Sequence, residues 1–187
     1  MAQTQQSPAI VTWNIDPAHS NAQFSVRHLM ISNVKGEFTR VSGVVRLDKD
    51  NPEGVSVEAS IDVNTINTRE PDRDNHLKSP DFFDVAKHPT ITFKSKRVAK
   101  SPGGLKLKGD LTIHGVTREV TLDVEGPTPP TKDPWGNTRI GASATTKINR
   151  KDFGLTWNQA LETGGVMVGE EVKITIDVEL VAQAGDK

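Results

Sequence analysis

Val55-Ser56-Val57-Glu58-Ala59-Ser60-Ile61-Asp62-Val63 alternates apolar and polar side chains at every step, and Val172-Lys173-Ile174-Thr175-Ile176-Asp177-Val178-Glu179-Leu180 repeats the pattern near the other end of the chain. A period of two reads as a β-strand with one dry face and one wet face. The pattern recurs between turn residues, which predicts roughly eight or nine strands, near residues 11–16, 20–29, 37–48, 54–64, 89–98, 104–113, 116–126, 137–150 and 171–181. Because nearly every segment keeps a wet face, the dry faces must point at one another. The sheet therefore closes on itself or doubles over as a sandwich, and what fills its interior decides the function.

The breaks between strands carry turn chemistry. Asp50-Asn51-Pro52-Glu53-Gly54, Ser101-Pro102-Gly103-Gly104 and His114-Gly115 supply the Gly, Pro or Asn that hairpins need, and Pro127 to Gly136 reads as a longer loop. No linker or composition shift divides the chain, which predicts one domain over residues 11–181 with flexible ends at 1–10 and 182–187. Two stretches depart from alternation. Within about residues 65–88, Pro71 to Lys78 reads as one short helical insertion, with Pro in the first turn and Asp74 four residues before Lys78, and Ser79 is placed to cap a second helical turn from Pro80. Leu155 to Gly169 holds several glycines with Trp157, Leu161 and Met167, the make-up of a flap or lid.

Composition narrows the chemistry. The 187 residues contain no cysteine, which excludes disulfides, thiolate metal sites and thiol nucleophiles. A net charge of −1, with both signs interspersed, leaves no footprint for nucleic acid or an anionic membrane. No apolar run reaches membrane-spanning length, so no integral membrane segment is expected. Met1 to Ile10 lacks the basic and apolar regions of an export signal, so the chain as written reads as cytoplasmic, with the periplasm as the alternative where a leader has been removed.

The apolar phase of the strands is rich in small and medium side chains such as Ala22, Gly43, Ala142 and Ala144. A barrel of about eight strands is just wide enough to be filled by side chains or to hold one small ligand, and small wall residues favour a cavity. Its predicted wall is Phe24, Val26, Phe38, Val45, Ile61, Phe93, Leu111 and Leu122, with Leu77, Phe82, Phe83, Trp157 and Met167 at its mouth beside the two irregular stretches. The plainer reading makes Leu77, Phe82 and Phe83 a plug at one end of the barrel. Arg69, Arg73 and Lys78 on the helical insertion are candidates to meet a polar or phosphate head group, or simply form its solvated face. The five histidines, His19, His28, His76, His88 and His114, fall in separate elements without a short ligand spacing, so no metal site or other cofactor is expected. Asp16, His19 and Ser20 invite a triad reading, but they sit in a turn where Asp and Ser cap backbone groups, no Gly-x-Ser-x-Gly elbow is present, and no catalytic residue is assigned.

Several blocks occur in a distinctive order: Trp13-Asn14-Ile15-Asp16-Pro17-Ala18-His19-Ser20, Phe24-Ser25-Val26-Arg27-His28, Gly36-Glu37-Phe38, Asp74-Asn75-His76-Leu77-Lys78-Ser79-Pro80-Asp81-Phe82-Phe83, Pro89-Thr90-Ile91-Thr92-Phe93, Gly109-Asp110-Leu111-Thr112-Ile113-His114-Gly115-Val116-Thr117 and Asp152-Phe153-Gly154. Together they resemble the YceI-like, polyisoprenoid-binding, lipocalin-like family across about residues 11–181. The resemblance implies an all-β fold, a single antiparallel, lipocalin-like barrel around a long apolar tunnel, a polyisoprenoid or isoprenoid quinone as ligand, and a homodimer. Three functions follow as expectations. The first is non-enzymatic binding, transport or storage of a long isoprenoid lipid. The second is a metal- or lipid-dependent enzyme. The third is a structural or interaction barrel with a solid core, filled by Phe24, Phe38, Phe93, Phe153 and Trp157.

Overall fold

The computed structural model describes residues 10–184. Most of the two expected flexible ends lies outside them; within them, Ile10 and Ala182 belong to strands. The strands are β1 (Ile10–Ile15), β2 (Asn21–His28), β3 (Ser32–Phe38), β4 (Val41–Asp48), β5 (Ser56–Asp62), β6 (Ile66–Asn67), β7 (Thr90–Ser101), β8 (Gly104–Ile113), β9 (Val116–Glu125), β10 (Thr131–Lys132), β11 (Thr138–Asn149) and β12 (Val168–Ala182). Helix α1 (Pro71–Lys78) lies between β6 and β7. No helix among the described residues is long and apolar enough to cross a membrane.

Every pairing is antiparallel, and β1, β4, β5, β7, β8, β9, β11 and β12 close into a ring of eight. The closed barrel, rather than the sandwich, is the outcome. Strand β12 makes closure possible because one of its edges serves two partners: residues 168–177 pair with β2 and residues 180–182 pair with β1. Between those partners the chain turns through a short 3-10 helix, Pro17–His19. Buried Ser20 covers the gap, its hydroxyl accepting from Glu179 N–H at 3.1 Å and donating to Glu179 C=O at 3.5 Å. A hydroxyl thus replaces the ladder bond that the bend removes. Strands β3 and β6 extend the sheet outward from β2.

Eight of the predicted strands fall on observed ones within a few residues. The prediction at 37–48 is corrected to β4 over Val41–Asp48, because Thr39 and Arg40 form the turn that separates it from a strand the alternation did not reveal, β3. Gly36 explains the omission. It sits at an inward position of β3 where a Cβ would come within 2.4 Å of Phe24 Cζ, so the apolar phase there is an absence of side chain. The helix spans the predicted residues, but Asp74 does not reach Lys78. Its carboxylate turns back to accept from Thr68 N–H at 2.8 Å and Thr68 Oγ1 at 2.5 Å. No second helical turn follows Pro80; Ser79 Oγ accepts from Asp81 N–H at 3.3 Å in a run of turns that returns the chain to β7.

Candidate functional site: an apolar cavity with one polar end

The dry faces enclose a cavity of about 370 Å³ whose wall is almost entirely aliphatic and aromatic. Its size lies within the roughly 300–1,000 Å³ of pockets that take small organic ligands. Period two puts alternate residues of each strand on this wall: Val41, Val45 and Leu47 from β4, Val57, Ala59 and Ile61 from β5, Leu105, Leu107, Leu111 and Ile113 from β8, and Val172, Ile174, Ile176, Val178 and Leu180 from β12.

Each wall and mouth residue expected from the sequence borders this one cavity: Phe24, Val26, Phe38, Val45, Ile61, Phe93, Leu111 and Leu122, and also Leu77, Phe82, Phe83, Trp157 and Met167. Phe38 packs against Phe24 and Phe83, with ring centroids 5.6 and 5.8 Å away. Phe153 is displaced from the cavity and buried in the core, 1% exposed. The two irregular stretches meet over the same barrel end. Phe82 and Trp157 lie 5.3 Å apart, and the His76 imidazole stands edge-on to both rings at 5.1 and 4.9 Å. His76 Nε2 is held by Asp81 Oδ2 at 2.8 Å.

The charged groups on the wall are distributed unevenly. Among the described residues, Arg27, Arg73 and Arg150 border the cavity, and no Asp, Glu or Lys does. Arg27 and His28 end β2, Arg73 and His76 lie on α1, and Arg150 follows β11. The strand pairings put Arg27, His28 and Arg150 at the end where Trp157 and Phe82 meet, because the start of β12 pairs with the end of β2 and with the end of β11, and the ring contacts of His76 with Phe82 and Trp157 bring α1 to the same end. The opposite end is bounded by Leu47, Val55, Leu105, Val124 and Pro127. The cavity is thus an apolar shaft with cationic and imidazole groups at one end.

Of the three candidate head-group residues, only Arg73 borders the cavity. It donates from Nε to Thr68 Oγ1 at 2.8 Å and from Nη2 to Thr68 C=O at 2.7 Å. Arg69 is exposed before the helix in a left-handed conformation with φ 67°. Lys78, five residues beyond Arg73, is turned by about 140° around the helix axis, away from the cavity. Arg27 and Arg150 were not singled out from the sequence. Arg150 is 4% exposed and donates to four carbonyls, Gly169 (2.8 Å), Leu155 (2.7 Å), Trp157 (2.9 Å) and Val168 (3.2 Å). It ties both ends of the Leu155–Gly169 segment to the barrel, and its burial lowers its pKa from the ordinary arginine value. The only sequence signal for it was its place between the end of a strand and Asp152-Phe153-Gly154.

Asp16, His19 and Ser20 do not make a triad. The Ser20 hydroxyl is committed to Glu179, whereas Asp16 accepts from Ala18 N–H at 2.9 Å, lies 2.9 Å from His19 Nδ1 and receives Arg139 Nη1 at 2.7 Å. Arg139 also donates to Asp133 at 2.7 Å and Glu179 at 3.1 Å. These contacts hold Asp16 down at about 2. The cluster braces the turn after β1, the loop at Asp133, β11 and β12. Elsewhere the structure gathers Asp84 and His88, from the stretch before β7, with His114 from the turn after β8.

Comparison with known proteins accords with this architecture. The model of the YceI-like domain family matches residues 13–180. The UPF0312 protein SAS2572 of Staphylococcus aureus strain MSSA476 is 42% identical over 91% of this chain and 97% of its own length. Among solved structures, the Campylobacter jejuni YCEI protein is 34% identical and superimposes with a TM-score of 0.69 over 84% of this chain and 90% of its own. A structure described as a polyisoprenoid binding domain from Saccharophagus degradans shares the fold with a TM-score of 0.65 at 16% identity, over 95% of this chain and 100% of its own. This chain belongs to the YceI-like family.

Proposed function

We propose that the protein is a non-enzymatic carrier or store of a long isoprenoid lipid, a polyprenyl compound or isoprenoid quinone held tail-inward in the cavity. One observation carries the reading: the wall is an apolar shaft whose charged groups, all of them arginines, stand at one end. A linear amphiphile with an acceptor-rich head has the same polarity. The similarity to the Saccharophagus degradans polyisoprenoid binding domain supports the ligand class.

The dimensions agree. Wall residues on β12 run from Val168 to Leu180, which at about 3.3 Å per residue and a tilt near 40° spans about 30 Å. An extended carbon chain advances about 1.25 Å per bond, so that length accepts about six isoprene units of four chain bonds each. Burying one five-carbon unit is worth about 4 kcal/mol gross at about 0.8 kcal/mol per carbon group, against about 4–15 kcal/mol for association. Several units are needed for tight binding, which selects long chains. The family resemblance adds a homodimer to this proposal, one that associates through loops, an outer face or the edge of β3 outside the ring, because the ring itself has no free edge.

The test is an equilibrium titration of delipidated protein with polyprenols of increasing length. Affinity is expected to rise with each unit and level off near six units. Affinity independent of chain length, or highest for a compact ring compound, would overturn the reading.

A further inference from the structure

We propose that Asp84, His88 and His114 form a three-ligand site for a divalent transition-metal ion of the zinc type, outside the cavity. One potential donor atom from each lies within 4.8 Å of the other two. The imidazoles of His88 and His114 face each other with centroids 4.8 Å apart and planes at 67°. Around a tetrahedral ion with bonds of about 2.0–2.1 Å, donor atoms stand about 3.3 Å apart, so small side-chain rotations complete the set. All three residues are partly buried, accessible to an ion and yet packed.

The donors are uncommitted. Among the described residues, neither imidazole nor the Asp84 carboxylate takes part in a hydrogen bond, and the carboxylate, with its side chain 13% exposed, has one ionic neighbour, Lys87 Nζ at 4.0 Å on a 77% exposed tail. A mostly shielded carboxylate whose one ionic partner is distant and exposed costs stability, and a cation placed between it and two imidazoles removes that cost. The backbone presents the three together. Asp84 C=O accepts from Lys87 and His88 N–H at 3.0 and 2.9 Å, forming a turn that sets residues 84 and 88 side by side. His114 opens the two-residue turn between β8 and β9. Gly115 leaves room for the His88 ring, since a Cβ there would lie 2.8 Å from its Cε1.

Two neutral nitrogens and one carboxylate suit zinc, and also cobalt, nickel and copper, whereas calcium and magnesium prefer sets composed of oxygen. With three protein ligands the ion keeps a further position for water. Its structural effect follows from connectivity. Asp84 directly follows Phe82 and Phe83, which wall the cavity, and His114 is on the barrel, so the ion clamps that wall segment to the β8–β9 hairpin.

The experiment uses the full chain without an affinity tag, stripped with chelator and titrated with Zn2+ by calorimetry and with Co2+ by visible absorption. Wild type is expected to take up one ion per chain, give the intense absorption of tetrahedral cobalt, and gain thermal stability with Zn2+ but not with Mg2+. His114→Asn keeps a residue suited to the left-handed turn, so it should fold as wild type does while losing more than the roughly 10–100-fold that removal of an outer-shell partner costs. Asp84→Asn should behave likewise. Absence of stoichiometric binding by wild type, or unchanged binding in both folded variants, would overturn the proposal and, in the second case, place the ion on other histidines.

Discussion

Replacing Ala144 with Phe tests the cavity without breaking the barrel. Ala144 lies on β11 opposite Ile176 of β12 and Val124 of β9, and all three border the cavity. A phenyl ring adds six carbons, slightly more than one isoprene unit, so it occupies the space of about one unit of bound chain. At about 0.8 kcal/mol per carbon group, the displaced unit is worth up to about 4 kcal/mol. With 1.4 kcal/mol per factor of ten, the largest loss is about 1,000-fold. A chain that withdraws toward the mouth recovers part of this, so a loss of at least about tenfold is expected. Folding should be little affected, because the ring enters open space and any local crowding costs about 1–3 kcal/mol. Trp157 on the wall provides the assay, since a bound quinone would quench its fluorescence. Quinone affinity within twofold of wild type in a folded Ala144→Phe protein would refute the assignment of this cavity to the ligand.

Other perturbations address the mouth and the frame. Arg73→Ala should weaken a polyprenyl phosphate by about tenfold, in keeping with about 1.5–3 kcal/mol for a hydrogen bond to a charged group, and leave the matching polyprenol unchanged; equal loss for both in paired titrations would make Arg73 structural. Arg150→Met leaves the Leu155, Trp157 and Gly169 carbonyls without this donor, Val168 C=O keeping Asn158 Nδ2 at 2.7 Å, and should cost about 3–5 kcal/mol in denaturant unfolding, with Arg150→Lys recovering part; a loss below about 1 kcal/mol would show that the Leu155–Gly169 segment is anchored otherwise. The Arg139 guanidinium lowers both Asp16, to about 2, and Asp133. Depressed folded values mean stabilisation that is complete above the unfolded range near pH 4 and lost as pH falls toward about 2. Asp16→Asn should therefore flatten stability against pH between about 4 and 2, and an unchanged slope would contradict the role assigned to the cluster.

The cavity wall was legible because period two fixes which face each residue occupies, whatever the sheet does afterwards. Val45, Leu111 and Leu122 needed no knowledge of their partners. What escaped depends on contacts between distant elements. Strand β3 was hidden because Gly36 supplies its inward face by leaving room for Phe24. The sharing of β12 between β1 and β2 rests on Ser20 meeting Glu179, a contact across 159 residues. Arg150 looks in sequence like any surface charge, and only the fold supplies its four carbonyls. The three donors at Asp84, His88 and His114 are joined by the register of the β7–β8 hairpin, in which Thr92 lies opposite Thr112, so that His114 comes back beside the turn that carries the other two.

The most direct test of the central claim is mass spectrometry of a solvent extract from the full-length protein purified without detergent from its native host. A polyprenyl compound or isoprenoid quinone in near-stoichiometric amount, released from wild type and depleted from Ala144→Phe, is the predicted result. An extract without isoprenoids from a protein that also fails to take up added polyprenol or quinone would contradict it.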